Sequence, residues 1–387
     1  MRKTILILFY LLIAQALPQL CNAQDSLLIN FLLKKIAAQQ VKQDDYFLPG
    51  IFPSFISKRE SFSDKKKDNN IFFNTLIAYT LSDIKLYVAK DNQLLIDEIL
   101  SNAKPVFSKF KNQKGRNTYN FWRTDTSFKY PYRGLINPFK KNITLPDDMD
   151  DTVLSLLALQ ANDSVASAVH ALMQSFTNSD SNKVRSVISS YAQLPAYSTW
   201  FGKKFPVVFD VSVLCNLLSF VQLYNLPWTK ADSASLNVIV ATIKNNDHIN
   251  QPVYASPYYP KTSLILYHIA RLMNIKKIPE LDALKVKLLT DAVTEFANTK
   301  NIVEKIILSS AIIKWGYTPP AFELPSIDEA ESTIEQNDFS FFVGNIPSYF
   351  PGWLRKYATE KNTGLFYHYC PAYNDALLLE YLLLKNQ

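Results

Sequence analysis

The chain has 387 residues, 48% of them hydrophobic, and its 8 glycines are too few for a glycine-rich phosphate loop or for the turns of a large sheet protein. Its formal net charge of +7 at pH 7 is scattered, and the densest basic run, Lys65-Lys66-Lys67, is bracketed by Asp64 and Asp68. Because a nucleic-acid groove needs a continuous basic stripe, these features exclude nucleotide chemistry and a nucleic-acid partner.

Residues 1–23 are predicted to be a signal peptide. Arg2 and Lys3 precede an apolar run from Ile5 to Leu17, and Cys21-Asn22-Ala23 offers small residues at a cleavage site. The alternative is a membrane anchor, but the run is shorter than the ~20 residues that a spanning helix needs. We therefore expect one mature domain over residues 24–387, exported to the periplasm or the envelope.

Helical periodicity recurs along the whole mature chain. The predicted helices cover Asp25–Lys42, Ile71–Val88, Gln93–Phe110, Asp148–Gln160, Ser164–Phe176, Asp210–Tyr224, Lys230–Asn245, Thr262–Asn274, Ile278–Asn298, Ile302–Trp315, the weaker Ser326–Gln336 and Tyr373–Leu384. Several members of the series are apolar on nearly every side, as in Val153–Leu159 and Ala376–Leu384, and such helices are buried on every side. Such buried helices alternate with half-exposed ones. This alternation predicts an all-α fold, an α/α toroid in which five or six hairpins form an inner and an outer ring.

The sharpest local feature is the acidic run Asp147-Asp148-Met149-Asp150-Asp151 at the start of an apolar helix. Like charges repel and burial disfavours ionised carboxyls, so at least one pKa should be raised. Such a group can act as an acid near neutral pH. The competing interpretation is ordinary helix capping, since Asp residues satisfy the free N–H groups of a first turn.

The segment Asp148-Met149-Asp150-Asp151-Thr152, followed by an aliphatic helix, resembles the D-x-D-D-T motif of class II terpenoid cyclases such as squalene–hopene cyclase. These enzymes belong to a superfamily of α/α toroids that includes the protein prenyltransferase β subunits. The resemblance implies that fold for most of the mature chain. It also implies that Asp150 protonates a polyene double bond or an epoxide, with Asp148 and Asp151 as its supports. Unlike those cyclases, the chain has room for one helical barrel and carries no Gln-Trp repeats.

Neither a cofactor nor a metal site is predicted. The prenyltransferase branch holds zinc with Asp, Cys and His, and Tyr367-His368-Tyr369-Cys370 is similar to the histidine end of that site. However, Cys215, Cys370, His268 and His368 match no zinc spacing, and catalytic zinc normally has three protein ligands. Cys215 and Cys370 could pair in an oxidising compartment, but burial as small apolar residues is the expectation.

Three functions remain open on the sequence. The first is protonation of an isoprenoid-type apolar substrate, which suits the aromatic residues crowding the predicted loops, such as Tyr258-Tyr259 and Phe341-Phe342. The second is a periplasmic glycan-active (α/α)-barrel enzyme, which needs a second carboxylate opposite Asp150, for which Asp210 and Asp375 are candidates. The third is a non-catalytic exported binding or scaffold protein. The expected ligand is accordingly a small apolar molecule or a glycan.

Overall fold

The computed structural model describes residues 25–126, 145–184, 188–203 and 205–387, so the predicted signal peptide lies outside the described residues. Most of these residues are helical, and a small sheet accompanies the helices. In the part of the chain that the structure describes, no helix has both the length and the apolarity needed to cross a membrane.

The secondary structure follows the predicted series closely. In chain order the helices are α1 (25–39), α2 (Phe72–Ile84), α3 (Lys90–Ala103), α4 (Met149–Ala158), α5 (Asp163–Met173), α6 (Val211–Leu223), α7 (Lys230–Lys244), α8 (Asp247–Asn250), α9 (Pro252–Ala255), α10 (Thr262–Ile275), α11 (Pro279–Asp282), α12 (Lys285–Asn298), α13 (Ile302–Lys314), α14 (Gly352–Glu360) and α15 (Pro371–Lys385). The predicted helix at Ile278–Asn298 is divided into α11 and α12. The weak one at Ser326–Gln336 contains only a π-helical turn at Glu331–Glu335.

Six helices, here called the ring helices, pack in a closed order. Helix α2 contacts α4, which contacts α6, and the series continues through α10, α13 and α15 until α15 packs back against α2. In α6 every side chain except Leu223 is buried. By contrast, α12 packs on the outside of α10 and α13, and only Leu288, Ala292 and Phe296 of its side chains are buried. These two helices show the two burial patterns that the sequence predicts, one buried on nearly every side and one on a single face.

Helix α1 lies antiparallel to α15. Lys385 Nζ at the end of α15 is 3.0 Å from Asp25 Oδ2 at the start of α1. At the opposite end of the pair, Gln39 Nε2 donates to Asp375 Oδ2 over 2.6 Å. The first and last described helices of the chain are thus neighbours.

The all-α prediction is borne out in part, because most of the described residues are helical but a four-stranded antiparallel sheet is also present. Its strands are β1 (Ser54–Ser57), β2 (Lys66–Asp68), β3 (Phe342–Asn345) and β4 (Leu365–Tyr369), in the order β2-β1-β4-β3. Strand β2 ends shortly before α2 begins, and β4 ends two residues before α15 begins. The sheet therefore sits at the end of the ring where these helices start.

Extended segments hold the helix starts side by side at that end. Ile71 N, next to α2, donates to Phe121 O over 3.1 Å, and Asp148 N, next to α4, donates to Tyr119 O over 2.9 Å. The segment before α10 is fixed to the sheet, since Val343 N donates to Tyr258 O over 2.9 Å. The D-x-D-D-T segment consequently lies beneath loops and sheet.

Candidate acidic site

Asp148 caps α4. Its Oδ1 accepts hydrogen bonds from the main-chain N–H groups of Asp150, at 2.7 Å, and Asp151, at 3.1 Å. The capping interpretation of this residue is confirmed, because these are the donors that a helix leaves free in its first turn. Burial raises the pKa of Asp148 well above its usual range, and the neighbouring Asp150 raises it further.

Asp150 has a different role, since it points away from the cap toward the next ring helix. Its Oδ1 accepts from Asn216 Nδ2 over 2.8 Å, and its Oδ2 accepts from the hydroxyl of Tyr259. The side chain is only 3% exposed. Burial raises its pKa to about 6, although the hydrogen bonds from Tyr259 and Asn216 favour the ionised form.

Asp151 is also buried, but neither of its carboxylate oxygens has a hydrogen-bond partner among the described residues. Burial raises its pKa well above the usual range, and the charges of Asp148 and Asp150 raise it further. An unpaired buried carboxylate is costly, so the surroundings of Asp151 favour its protonated form. The structure thus brings Asp148, Asp150 and Asp151 together in one buried turn with three different environments.

Aromatic rings surround the hydroxyl that reaches Asp150. The ring centroid of Tyr259 lies 4.5 Å from that of His268 and 5.8 Å from those of Phe341 and Phe342. Burial lowers the pKa of His268 to about 3, with a further contribution from Arg271, so its imidazole is neutral. The Tyr259 side of the site is therefore aromatic, and the charge of Arg271 favours the ionised form of Asp150 from a greater distance.

Asp210 is the nearest equivalent at the start of another ring helix. It caps α6 by accepting from Ser212 N over 2.9 Å and Val213 N over 3.1 Å, and Ser256 Oγ and Tyr258 N donate to it as well. Burial raises its pKa to about 7 in spite of these donors. Three of its four donors are main-chain N–H groups, which can only donate, and they fix this carboxyl as an acceptor on both oxygens.

Asp375 lies in a separate cluster. Besides its bond from Gln39 it adjoins Glu335, and Glu335 pairs with Lys35 at 2.7 Å. Burial and the charge of Glu335 raise the pKa of Asp375 well above its usual range. Asp375 lies one turn inside α15 and not at its start, because the helix begins at Pro371 and its N-cap position is Cys370.

Cys215 and Cys370 are buried free thiols, as expected of small apolar residues. Burial raises the pKa of Cys370 to about 12. Across residues 25–126, 145–184, 188–203 and 205–387, no three His, Cys, Asp or Glu side chains are placed to share a metal ion. His368 instead faces a carboxylate, with its Nδ1 3.3 Å from Asp68 Oδ2.

Asn216 and Tyr259 were missed as site residues. A signal for Asn216 exists, because it is a lone amide in the apolar stretch Val213–Phe220. Tyr259 was noted only as one of many loop aromatics. Its hydroxyl reaches Asp150 across 109 positions of sequence, a contact that no local pattern encodes.

Comparisons of the chain with protein-family models, with curated proteins and with solved structures find no match. The resemblance to terpenoid cyclases therefore depends on the motif Asp148–Thr152 and on the order of the helices.

Proposed function

We propose that this protein is an exported α/α toroid in which Asp150 protonates an isoprenoid-type apolar substrate and so starts its isomerisation or cyclisation. The fold part of the proposal is supported by the closed packing order of α2, α4, α6, α10, α13 and α15. Helix α6 is buried on nearly every side, whereas α12 is buried on one side only. This difference fits an inner and an outer ring of helices.

The observation that carries the chemical proposal is the environment of Asp150. A carboxyl whose pKa is about 6 is partly protonated near neutral pH and can give its proton away. Its two side-chain partners can form hydrogen bonds with Asp150 whether its carboxyl is protonated or ionised. The Tyr259 hydroxyl can accept as well as donate, and the amide of Asn216 can present either its oxygen or its nitrogen.

In the proposed step, the Asp150 proton is transferred to one carbon of a substrate double bond, whose π electrons form the new C–H bond. The other carbon becomes a carbocation, and Asp150 becomes a carboxylate that Tyr259 and Asn216 stabilise by donating to it. The Asp150 carboxylate then takes a proton from a carbon next to the cation, and the electrons of that C–H bond form the new double bond, which gives an isomer of the substrate and restores the acid. The reaction is balanced without an oxidant or reductant.

Asp148 and Asp151 act as supports in this proposal. Asp148 fixes the first turn of α4, on which Asp150 lies. Asp151 is buried next to the acid, and the charges of Asp148 and Asp150 favour its protonated form, which disfavours a second negative charge beside Asp150. The aromatic rings around Tyr259 fit a cationic intermediate, because their faces are electron-rich.

The glycan-active alternative needs a base as well as an acid. Asp210 is a weak candidate for it, because four donors already use its two oxygens to cap α6 and to fix the Ser256–Tyr258 turn. Capping is all that a non-catalytic binding or scaffold protein requires of Asp148. The role of this one residue therefore fits that hypothesis. Asp150 has no part in capping, so capping does not explain why it is buried.

The test is Asp150→Asn, with Asp210→Asn as the matched control. Purified proteins are incubated with linear polyprenols, polyprenyl diphosphates, squalene and neutral oligosaccharides, and products are separated by mass spectrometry. We expect wild-type protein to convert an isoprenoid, and Asp150→Asn to lose about 100- to 10,000-fold in rate. Asp210→Asn should keep more activity than Asp150→Asn, because Asn caps a helix about as well as Asp and only the bond from Tyr258 N is lost.

Activity retained in Asp150→Asn would remove Asp150 as the acid. Glycan cleavage lost in both variants would favour the alternative enzyme, and a wild-type protein that converts no substrate would favour the scaffold. Melting curves of all three proteins show whether a loss of activity is a loss of folding.

A further inference from the structure

A cavity of about 370 Å³ opens beside the sheet, away from the acidic cluster. It is bordered by Tyr254 and Tyr367, by the charged side chains of Glu60, Glu360 and Lys261, and by Thr359 near the end of α14. A volume of this size lies within the range of small-molecule sites and accommodates one or two sugar rings.

The sheet separates this cavity from Asp150. Successive residues of a strand point to opposite faces, and in β3 Phe342 packs against Tyr259 while Val343 lines the cavity. Pro260 and Lys261, which follow Tyr259 directly, form another part of the cavity wall. The cavity is therefore a second site. The same chain segments border it and the acidic cluster, but no side chain lines both.

The charges in the cavity disfavour an anionic ligand. Lys261 Nζ is already 2.7 Å from Glu60 and 3.3 Å from Glu304, and these carboxylates neutralise it. Glu360 adds a negative charge at the exposed rim, which repels phosphates and carboxylates. Because Glu60 is paired and Glu360 is well solvated, neither supplies a strong site for a cation.

The polar groups disfavour a purely apolar ligand as well. Thr359 is 8% exposed, and its Oγ1 has no hydrogen-bond partner among the residues that the structure describes. A buried hydroxyl without a partner is unfavourable, so a ligand that supplies one gains affinity. Tyr254 and Tyr367 line the same cavity and supply aromatic rings to it.

We propose that this cavity binds a neutral saccharide of one or two rings, which places its apolar C–H face against the tyrosines and its hydroxyl groups against Thr359 and Glu360. A sugar combines the neutral charge, the ring-shaped apolar face and the hydroxyl groups that this lining requires. The site does not depend on the chemistry proposed for Asp150.

The test is saturation-transfer NMR on the purified protein with glucose, galactose, N-acetylglucosamine, cellobiose and glucosamine, and with glucose 6-phosphate, whose C–H protons are observable, as the anionic probe. We expect transfer to at least one neutral sugar and none of comparable strength to glucose 6-phosphate. Thr359→Val keeps the side-chain shape and removes the hydroxyl, and Tyr254→Leu removes the ring. Each should weaken binding by about two- to tenfold.

Thr290→Val and Tyr87→Leu are the matched controls, because both residues are exposed and line no part of the cavity. Both control variants, and Asp150→Asn, should bind the sugar as the wild type does. The proposal is overturned if no neutral sugar shows transfer, if only glucosamine or glucose 6-phosphate binds, or if binding is unchanged in both Thr359→Val and Tyr254→Leu. Since the readout is binding, these outcomes are independent of any turnover at Asp150.

Discussion

Asp150 and Asp232 are both buried aspartates in the first turn of a helix, yet their pKa values shift in opposite directions. Burial favours a raised pKa at both. At Asp150 the hydrogen bonds come from neutral groups, and the pKa rises to about 6. At Asp232 the bonds from His170 and Thr229 outweigh burial, and the pKa is lowered. The hydrogen-bond partners of each carboxyl therefore decide whether its pKa is raised or lowered.

This difference predicts how stability depends on pH. The pKa of Asp150 is about 6 in the folded protein and 3.8 in an unconstrained chain, so the folded state binds the proton more tightly. Its contribution to stability is fully present below pH ~4 and is lost as the pH rises through 6. A difference of roughly 2 units corresponds to about 3 kcal/mol. In urea denaturation between pH 4 and 7, Asp150→Asn should lose less stability with rising pH than the wild type.

Asp232→Asn is the control with the opposite sign. Because the folded-state pKa of Asp232 is lowered, its contribution is present above the unfolded pKa and is lost as the pH falls. This variant should be less stable than the wild type at pH 7, and the difference should shrink below pH 4. Equal pH slopes for Asp150→Asn and the wild type would show that Asp150 is not the titrating group.

The acidic cluster could be predicted from sequence at the level of residue type, but the separate roles of its members could not. Capping by Asp148 follows from local geometry, since its partners are two and three positions away. The partners of Asp150 are 66 and 109 positions away. Only the packing of α4 against α6 and against the segment before α10 brings them together.

At the scale of elements, long periodic helices were predicted well and short strands were missed. The strands have between 3 and 5 residues, too few for an alternating pattern to be recognised. Helix α14 was missed for a related reason. Its buried residues are Arg355, Ala358 and Thr359, which form no apolar stripe, whereas Trp353 and Tyr357 are largely exposed.

The turn between α1 and β1 makes a sharp prediction about one glycine. Gly50 has φ +88°, and a Cβ there would lie 2.1 Å from Asn102 O, which belongs to α3. Gly50→Ala should therefore cost about 2–4 kcal/mol, from backbone strain together with the clash. Gly115 is the matched control, because it has φ +85° with nothing near its Cβ position.

Gly115→Ala should cost only about 1 kcal/mol, the strain of the left-handed backbone alone. Chemical denaturation of both variants measures the difference. Equal losses would mean that α3 moves aside without cost, and that the packing of this turn against α3 is loose.

At the scale of the whole molecule, export is a prediction about the first residues of the chain. Arg2, Lys3 and the apolar run that follows them predict cleavage after Ala23. We expect the protein recovered from the envelope or periplasm to begin at Gln24, as N-terminal sequencing would show. A full-length cytoplasmic protein would contradict this.

The closed order of the ring helices makes a second prediction at this scale. If the helices formed an open stack, the first and last of them would lie far apart. Instead α1 runs along α15, and the ion pair of Asp25 with Lys385 at 3.0 Å brings the two ends of the described chain together. A circular permutant that joins residue 387 to residue 25 through a short Gly-Ser linker should therefore fold.

The new termini of the permutant belong in the exposed turn between Lys114 and Gly115, where few buried groups are disturbed. We expect a helical circular dichroism spectrum equal to that of the parent protein. The midpoint of thermal unfolding should fall by only a few degrees, since the contact of α15 with α2 is kept.

As the control, deletion of residues 371–387 removes α15 from between α13 and α2. This deletion exposes the apolar faces of both helices and should abolish cooperative unfolding. A permutant that fails to fold, beside a truncated chain that still melts cooperatively, would contradict a ring closed by α15.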